Sequence, residues 1–301
     1  MEYVLRTDNL TKAYGKNIVV DGVSMHVEKG AIYGFIGKNG AGKTTFMRMV
    51  AGLAAPTNGT MELFGAQNLE RQRTRIGCLI ESTGIYANMT AKENMEVIRR
   101  QLGIADRQSI EKIIDFVGLN GAGKKKVKHF SMGMKQRLGI AIALFRNPDF
   151  LILDEPINGL DPEGIIEIRE MLLQLNREQE ITILISSHIL GELSKIATHY
   201  GIIREGILAD EFAADTLKER CRRCHKIIVD NTELAVNILE EKLHIVNFDV
   251  PEQNLIRIFE KLDETEYTNK ALITGGVNIK ESSLAGQNLE EYFMELLSGK
   301  K

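Results

Sequence analysis

The chain has 301 residues, with 38 Lys and Arg against 41 Asp and Glu, and its net charge of −3 excludes the strong basic field of a protein built mainly for nucleic acid. Hydrophobic residues make up 44% of it, enough for a large core in one or two domains. The longest apolar runs, such as residues 138–145, are far shorter than the about 20 residues a bilayer-spanning helix needs. The first residues carry no apolar signal core and three cysteines make no disulfide framework, so the expectation is a cytoplasmic protein that binds no nucleic acid.

In chain order, residues 3–8 and 18–27 read as strands about the turn Tyr14-Gly15-Lys16-Asn17. A short apolar run, 32–36, leads into Gly37-Lys38-Asn39-Gly40-Ala41-Gly42-Lys43-Thr44, which fits G-x-x-x-x-G-K-[ST], and Thr45 opens a helix behind it. Glycines let backbone N–H groups turn toward an anion, and the helix N-terminus adds partial positive charge at the same point. Lys43 then reaches β- and γ-phosphates, and the Thr44 hydroxyl is a ligand for Mg²⁺. The motif, in its strand–loop–helix setting, predicts a nucleoside triphosphate site.

Residues 76–80 form another short apolar run, followed by Glu81. Residues 90–145 are rich in helical spacing, and Thr90 with Glu93 three positions on is a capping box. The run 124–128, four lysines around one valine, reads as a solvated basic face, with a role in holding a partner's nucleotide as the minority reading. Residues 150–153 are apolar and end in Asp154-Glu155; residues 181–185 are apolar and end in Ser186-Ser187-His188. Such runs between helices read as buried parallel strands, whose carboxyl ends face the ligand. Asp154 is placed for Mg²⁺, Glu155 for the attacking water, and His188 for the γ-phosphate.

Beyond residue 215 the character changes. Residues 225–230, 245–250 and 254–259 read as strands, 232–243 as a helix, and an amphipathic helix is expected from Asn288, with Leu289, Tyr292, Phe293 and Leu296 as its apolar stripe. Cys221 and Cys224, followed by His225, have a zinc-like spacing, but Cys78 is the other cysteine and no second pair exists. The reading is therefore of thiols on or beside a helix.

Between the two apolar runs lies Pro156-Ile157-Asn158-Gly159-Leu160-Asp161-Pro162, and before them Phe130-Ser131-Met132-Gly133-Met134 at a helix start. With these the chain, over about residues 3–215, resembles the nucleotide-binding subunit of an ATP-binding cassette (ABC) transporter. Residues 37–44 match its Walker A loop, 150–155 its Walker B, 130–134 its signature motif, 159–161 its D-loop and His188 its switch histidine, while Tyr14 matches the aromatic that stacks on adenine. The resemblance implies an α/β P-loop fold with a parallel core sheet, an N-terminal antiparallel β part and a helical subdomain at about 82–148, in a domain spanning 1–215. Residues 216–301 then form a small accessory α/β module for dimerisation, regulation or packing alone. It implies ATP and Mg²⁺ as cofactors, hydrolysis coupled to transport, and head-to-tail dimerisation. Ser131, Gly133 and Met134 of one subunit, with Asp161, would close the site of a second subunit, and a separate integral membrane permease would hold the pair on the inner face of the membrane.

Two departures from the family pattern stand out. Met132 and Met134 occupy the third and fifth signature positions, where LSGGQ is usual. Glu81 stands where a glutamine normally touches Mg²⁺ and senses the permease; by this resemblance it is a catalytic-site residue whose carboxylate offers an oxygen to Mg²⁺ with Thr44 and Asp154, and it resembles the subgroup that exports lantibiotics and bacitracin. Alternatives are an exporter of another drug or lipid, a soluble ABC ATPase of translation or DNA repair, and a P-loop GTPase or kinase. The single cassette, the absence of sustained heptads and the absence of a guanine-selecting motif weigh against the last two.

Overall fold

The computed structural model describes residues 2–81, 84–286 and 292–293, and the chain divides after Ala214 into two compact units. The first unit opens with β1 (Tyr3–Tyr14), β2 (Asn17–Val23), β3 (His26–Glu28), β4 (Ile32–Ile36), α1 (Lys43–Val50) and β5 (Asn58–Leu63). β1 organises one antiparallel sheet, pairing with β2, β3 and β5. The strand expected over 3–8 runs on to Tyr14, because Asn9 takes φ +50° and the register shifts beyond Leu10, an irregularity the ladder absorbs instead of ending. The strand expected over 18–27 is two strands. Thr7 Oγ1 donates to Val23 O at 3.0 Å and accepts from Met25 N at 2.9 Å, so the chain leaves one pairing there and re-enters with His26 opposite Arg6.

The remaining elements of this unit are α2 (Leu69–Arg73), β6 (Ile76–Leu79), α3 (Ala91–Gln101), α4 (Gln108–Phe116), α5 (Met132–Leu144), β7 (Phe150–Asp154), α6 (Pro162–Gln179), β8 (Thr182–Ser187), α7 (Leu190–Leu193), β9 (His199–Arg204) and β10 (Ile207–Ala213). Six strands form the second sheet in the order β10-β9-β4-β8-β7-β6, parallel except for β10. β4 and β8 are buried along their whole length, as a parallel sheet covered on both faces requires. Phe46, Met47, Met49 and Val50 of α1 share one core with Phe35, Ile152 and Leu184 of the sheet and with Val4, Leu5 and Leu63 of the antiparallel part. Register places Ile36 beside Ser187, and Ser186 beside Asp154, so three loops leave adjacent strands at one edge. The Thr90–Glu93 capping box forms at the start of α3.

The second unit contains α8 (Ala214–Cys221), β11 (Cys224–Val229), α9 (Thr232–Asn237) with a π-helical turn to Lys242, β12 (Phe248–Glu252), β13 (Leu255–Ile258), α10 (Thr265–Thr274) and β14 (Ile279–Ala285). Its antiparallel sheet has the order β12-β13-β11-β14. With helices between the first and second and between the third and fourth strands, this is a ferredoxin-like β-α-β-β-α-β arrangement. The strand expected from residue 245 begins at Phe248 instead. Ile245 N closes the preceding helix on Leu239 O, and the Val246 and Asn247 N–H groups both donate to the Glu260 carboxylate. Cys221 ends α8 and Cys224 opens β11. The helix expected from Asn288 lies outside the described residues except for Tyr292 and Phe293.

Candidate functional site

The loop between β4 and α1 depends on two glycines. Gly42 caps α1 at φ +106°, where a Cβ would stand 2.7 Å from Val19 O; a Cβ on Gly37 would stand 2.6 Å from Ile203 O. Side chains are thus excluded where backbone passes backbone. Lys43 is buried and folds back over the loop, donating to Gly37 O at 2.6 Å and Lys38 O at 3.3 Å. The first turn of α1 contains no acidic residue of its own, so the partial positive charge of the helix start is not offset from within the helix.

The neighbouring strands complete the site. Thr44 Oγ1 donates to Asp154 Oδ2 at 2.6 Å, and Ser186 Oγ donates to Asp154 Oδ1 at 2.5 Å. Ser186 Oγ also accepts from Glu155 N at 2.9 Å, which fixes the backbone of a residue held at φ +49°. His188 Nδ1 lies 2.7 Å from Glu155 Oε2. The other oxygen, Glu155 Oε1, is buried without a hydrogen bond and lies 3.4 Å from Lys43 Nζ. A buried carboxylate oxygen left unbonded is costly unless it faces a charge or accepts a proton in use. Lys43, Thr44, Asp154, Glu155 and His188 are therefore brought together as the sequence predicts. Ser186 was not anticipated. Its signal was a hydroxyl at the end of a strand buried along its whole length, where only a hydrogen-bonding role compensates for desolvation.

Glu81 stands elsewhere. Its side chain is largely exposed and its Oε1 lies 3.5 Å from Arg48 Nη1, so its partner is a guanidinium on α1 and not the Thr44–Asp154 pair. Tyr14 closes β1 with half of its surface open, and the Lys12 ammonium lies 4.9 Å from its ring centroid. In the lysine run, Lys126 pairs with Glu93 at 3.4 Å, while Lys124, Lys125 and Lys128 are exposed.

The signature and D-loop residues form a second locus. Ser131 caps α5, its Oγ accepting from Met134 N at 3.2 Å; Asp161 caps α6, accepting from Gly164 N at 3.1 Å with Pro162 following. Ser131, Gly133, Met134, Gly159 and Asp161 line one cleft of about 510 Å³. Arg137 spans it to form an ion pair with Glu167. No residue of the 37–45 loop is among the described residues lining this cleft. Within a single chain, then, the N-termini of α5 and α6, capped by Ser131 and Asp161, face their own cleft, apart from the Lys43 loop.

The family model described as "ABC transporter" matches residues 20–158. The bacitracin transport ATP-binding protein BcrA of Bacillus licheniformis is 41% identical over 302 residues, covering 99% of both chains. The lantibiotic transport ATP-binding protein SrtF of Streptococcus pyogenes is 43% identical over 219 residues, covering 72% of this chain and 95% of its own. Among solved structures, the ADP conformation of an ATP-binding cassette of an ABC transporter superimposes with a TM-score of 0.64 at 26% identity, covering 73% of this chain and 94% of the other.

Proposed function

The chain belongs to the ABC transporter ATP-binding proteins and is an ATPase subunit, and from that premise we propose that it powers a separate membrane permease exporting peptide antibiotics of the bacitracin and lantibiotic type. The observation that carries the chemistry is the connected set Thr44–Asp154–Ser186–Glu155–His188 beside the buried Lys43. The cargo class rests on similarity along nearly the whole chain to BcrA, and over most of it to SrtF.

Lys43 and the N–H groups of residues 38–45 bind the β- and γ-phosphates of ATP, and Tyr14 offers its ring to the adenine. The Thr44 hydroxyl and Asp154 carboxylate are hard oxygen donors 2.6 Å apart, a set that suits Mg²⁺. Held there, the ion would neutralise charge on the β- and γ-phosphate oxygens. Glu155 Oε1 receives the proton of the water that attacks the γ-phosphorus, while His188 Nδ1 fixes the opposite oxygen. The bond to the bridging oxygen breaks, and ADP and phosphate leave. Ser131, Gly133, Met134 and Asp161 complete the site of a second copy, so that ATP closes a head-to-tail homodimer and hydrolysis opens it. Among the described residues no helix is long and apolar enough to cross a membrane; in this reading the permease holds the subunit on the inner face.

A strain lacking this subunit should become sensitive to bacitracin or a lantibiotic, regain resistance with the wild-type chain, and fail to regain it with Glu155→Gln. Unchanged sensitivity to a panel of such peptides would overturn the cargo. Because the linearmycin resistance ATP-binding protein LnrL of Bacillus subtilis is 28% identical over 97% of this chain, the same strain tested against linearmycin-type compounds and membrane-active lipids separates a drug or lipid exporter. Absence of any co-purifying integral membrane protein would favour a non-transport ATPase.

A further inference from the structure

We propose that Arg48 is a positioning residue for Glu81, holding its carboxylate one helical turn away from the Thr44–Asp154 pair in competition with Mg²⁺. The proposal rests on the reading of Thr44 and Asp154 as the metal site. Glu81 follows β6, which lies beside β7 with Leu79 opposite Leu153. In that register, Ile80 and Glu81 leave the sheet at the same edge as Asp154 and Glu155. Glu81 is thus delivered toward the phosphate site by the strand that precedes it. It does not end there, because its backbone turns to φ +58° and its Oε1 meets Arg48 Nη1 at 3.5 Å.

Arg48 and Thr44 are four residues apart on α1, so they share one face of the helix and stand about 6 Å apart along its axis. Exchanging the guanidinium for the Thr44–Asp154 end moves the Glu81 carboxylate along one turn of that helix face. A glutamine at this position would have no charge to offer Arg48, whereas a carboxylate forms a charge-assisted pair. The pair also removes the penalty of the carboxylate's charge beside a triphosphate for as long as Arg48 holds it. Lys128 and Lys135 line the same groove of about 420 Å³ as Glu81, and are the cations among the described residues that line it.

The test uses the wild type, Arg48→Ala, Glu81→Gln and the double variant of the full chain. In metal-free, nucleotide-free protein, urea unfolding should show a coupling between the two positions of about two- to five-fold in the folding equilibrium, as an exposed ion pair gives. The Mg²⁺ concentration for half-maximal binding of a fluorescent ATP analogue should fall about two- to five-fold in Arg48→Ala, and not shift when Arg48→Ala is added to Glu81→Gln. Additive unfolding energies, or a Mg²⁺ midpoint that Arg48→Ala leaves unmoved or moves equally in the Glu81→Gln background, would overturn the proposal. Asp154→Asn serves as the reference. If it fails to raise the Mg²⁺ midpoint, the underlying metal site is wrong; if it does raise it and Arg48→Ala has no effect, the role of Arg48 alone is wrong.

Discussion

Replacing Ser186 by alanine removes one hydroxyl that serves both acidic residues of the site. Its Oγ donates to Asp154 Oδ1 at 2.5 Å and accepts from Glu155 N at 2.9 Å, at a position with no exposed surface. A hydrogen bond to a charged group contributes about 1.5–3 kcal/mol, and a buried donor left unpaired costs about 1–3 kcal/mol. The two effects overlap, so a loss of about 2–4 kcal/mol is expected. For a unit of this size that is a fall in Tm of roughly 4–16 °C. Catalysis should suffer separately, because the Glu155 backbone loses its anchor at a left-handed φ, and a shift of about 1 Å in a water-positioning group slows turnover about 10- to 100-fold. KM should change little, since Lys43 and Thr44 are untouched. The assay is steady-state ATPase activity with thermal unfolding of the same samples. Ser187→Ala is the control: that hydroxyl accepts from Ile189 N at 2.9 Å and, among the described residues, holds no carboxylate. A kcat for Ser186→Ala no lower than that of Ser187→Ala would refute the reasoning.

Ser131→Arg should keep ATP binding to the monomer but lose ATP-driven dimerisation; mixing it with Lys43→Ala should restore one intact composite site, and normal dimerisation of Ser131→Arg alone would contradict the shared-site reading. Gly37→Ala places a Cβ 2.6 Å from Ile203 O and should lower stability by about 1–3 kcal/mol and weaken ATP binding, read by unfolding and by fluorescent-nucleotide titration. Burial lowers the pKa of His225 from the usual 6.5, so the unfolded chain takes up the proton more readily, and the second unit keeps its full stability above that pH and loses it as pH falls. Urea unfolding at pH 7.5 and 5.5 should therefore show a loss that His225→Gln removes; the same pH dependence in both proteins would show that another group is responsible.

The nucleotide loop was legible because its glycines, Lys43 and Thr44 are contiguous, and one strand and one helix suffice to define them. The buried strands β4, β7 and β8 were legible because both faces are covered, so their centres are apolar runs without polar alternation. What escaped was set by tertiary partners. Ser186 looks like a strand-end residue until β7 places Asp154 beside it. The placement of Glu81 was legible only as a position on the chain; its Arg48 partner lies on another element, 33 residues away. The extension of β1 to Tyr14 depends on two different partner strands, β2 and β5, neither of which local pattern can report. In the second unit, α10 and β14 passed unread because β14 is exposed along most of its length and so lacks an apolar alternation.

In the proposed mechanism Glu155, aligned by His188 and Ser186 beside Lys43, receives the proton of the attacking water. The most direct measurement is ATP binding and steady-state turnover of Glu155→Gln. ATP affinity should stay at the wild-type level, since Lys43, Thr44 and Asp154 keep their hydrogen-bonding groups, while turnover falls by about 10²-fold or more. Turnover within a factor of about two of the wild type would remove Glu155 from that role and the mechanism with it.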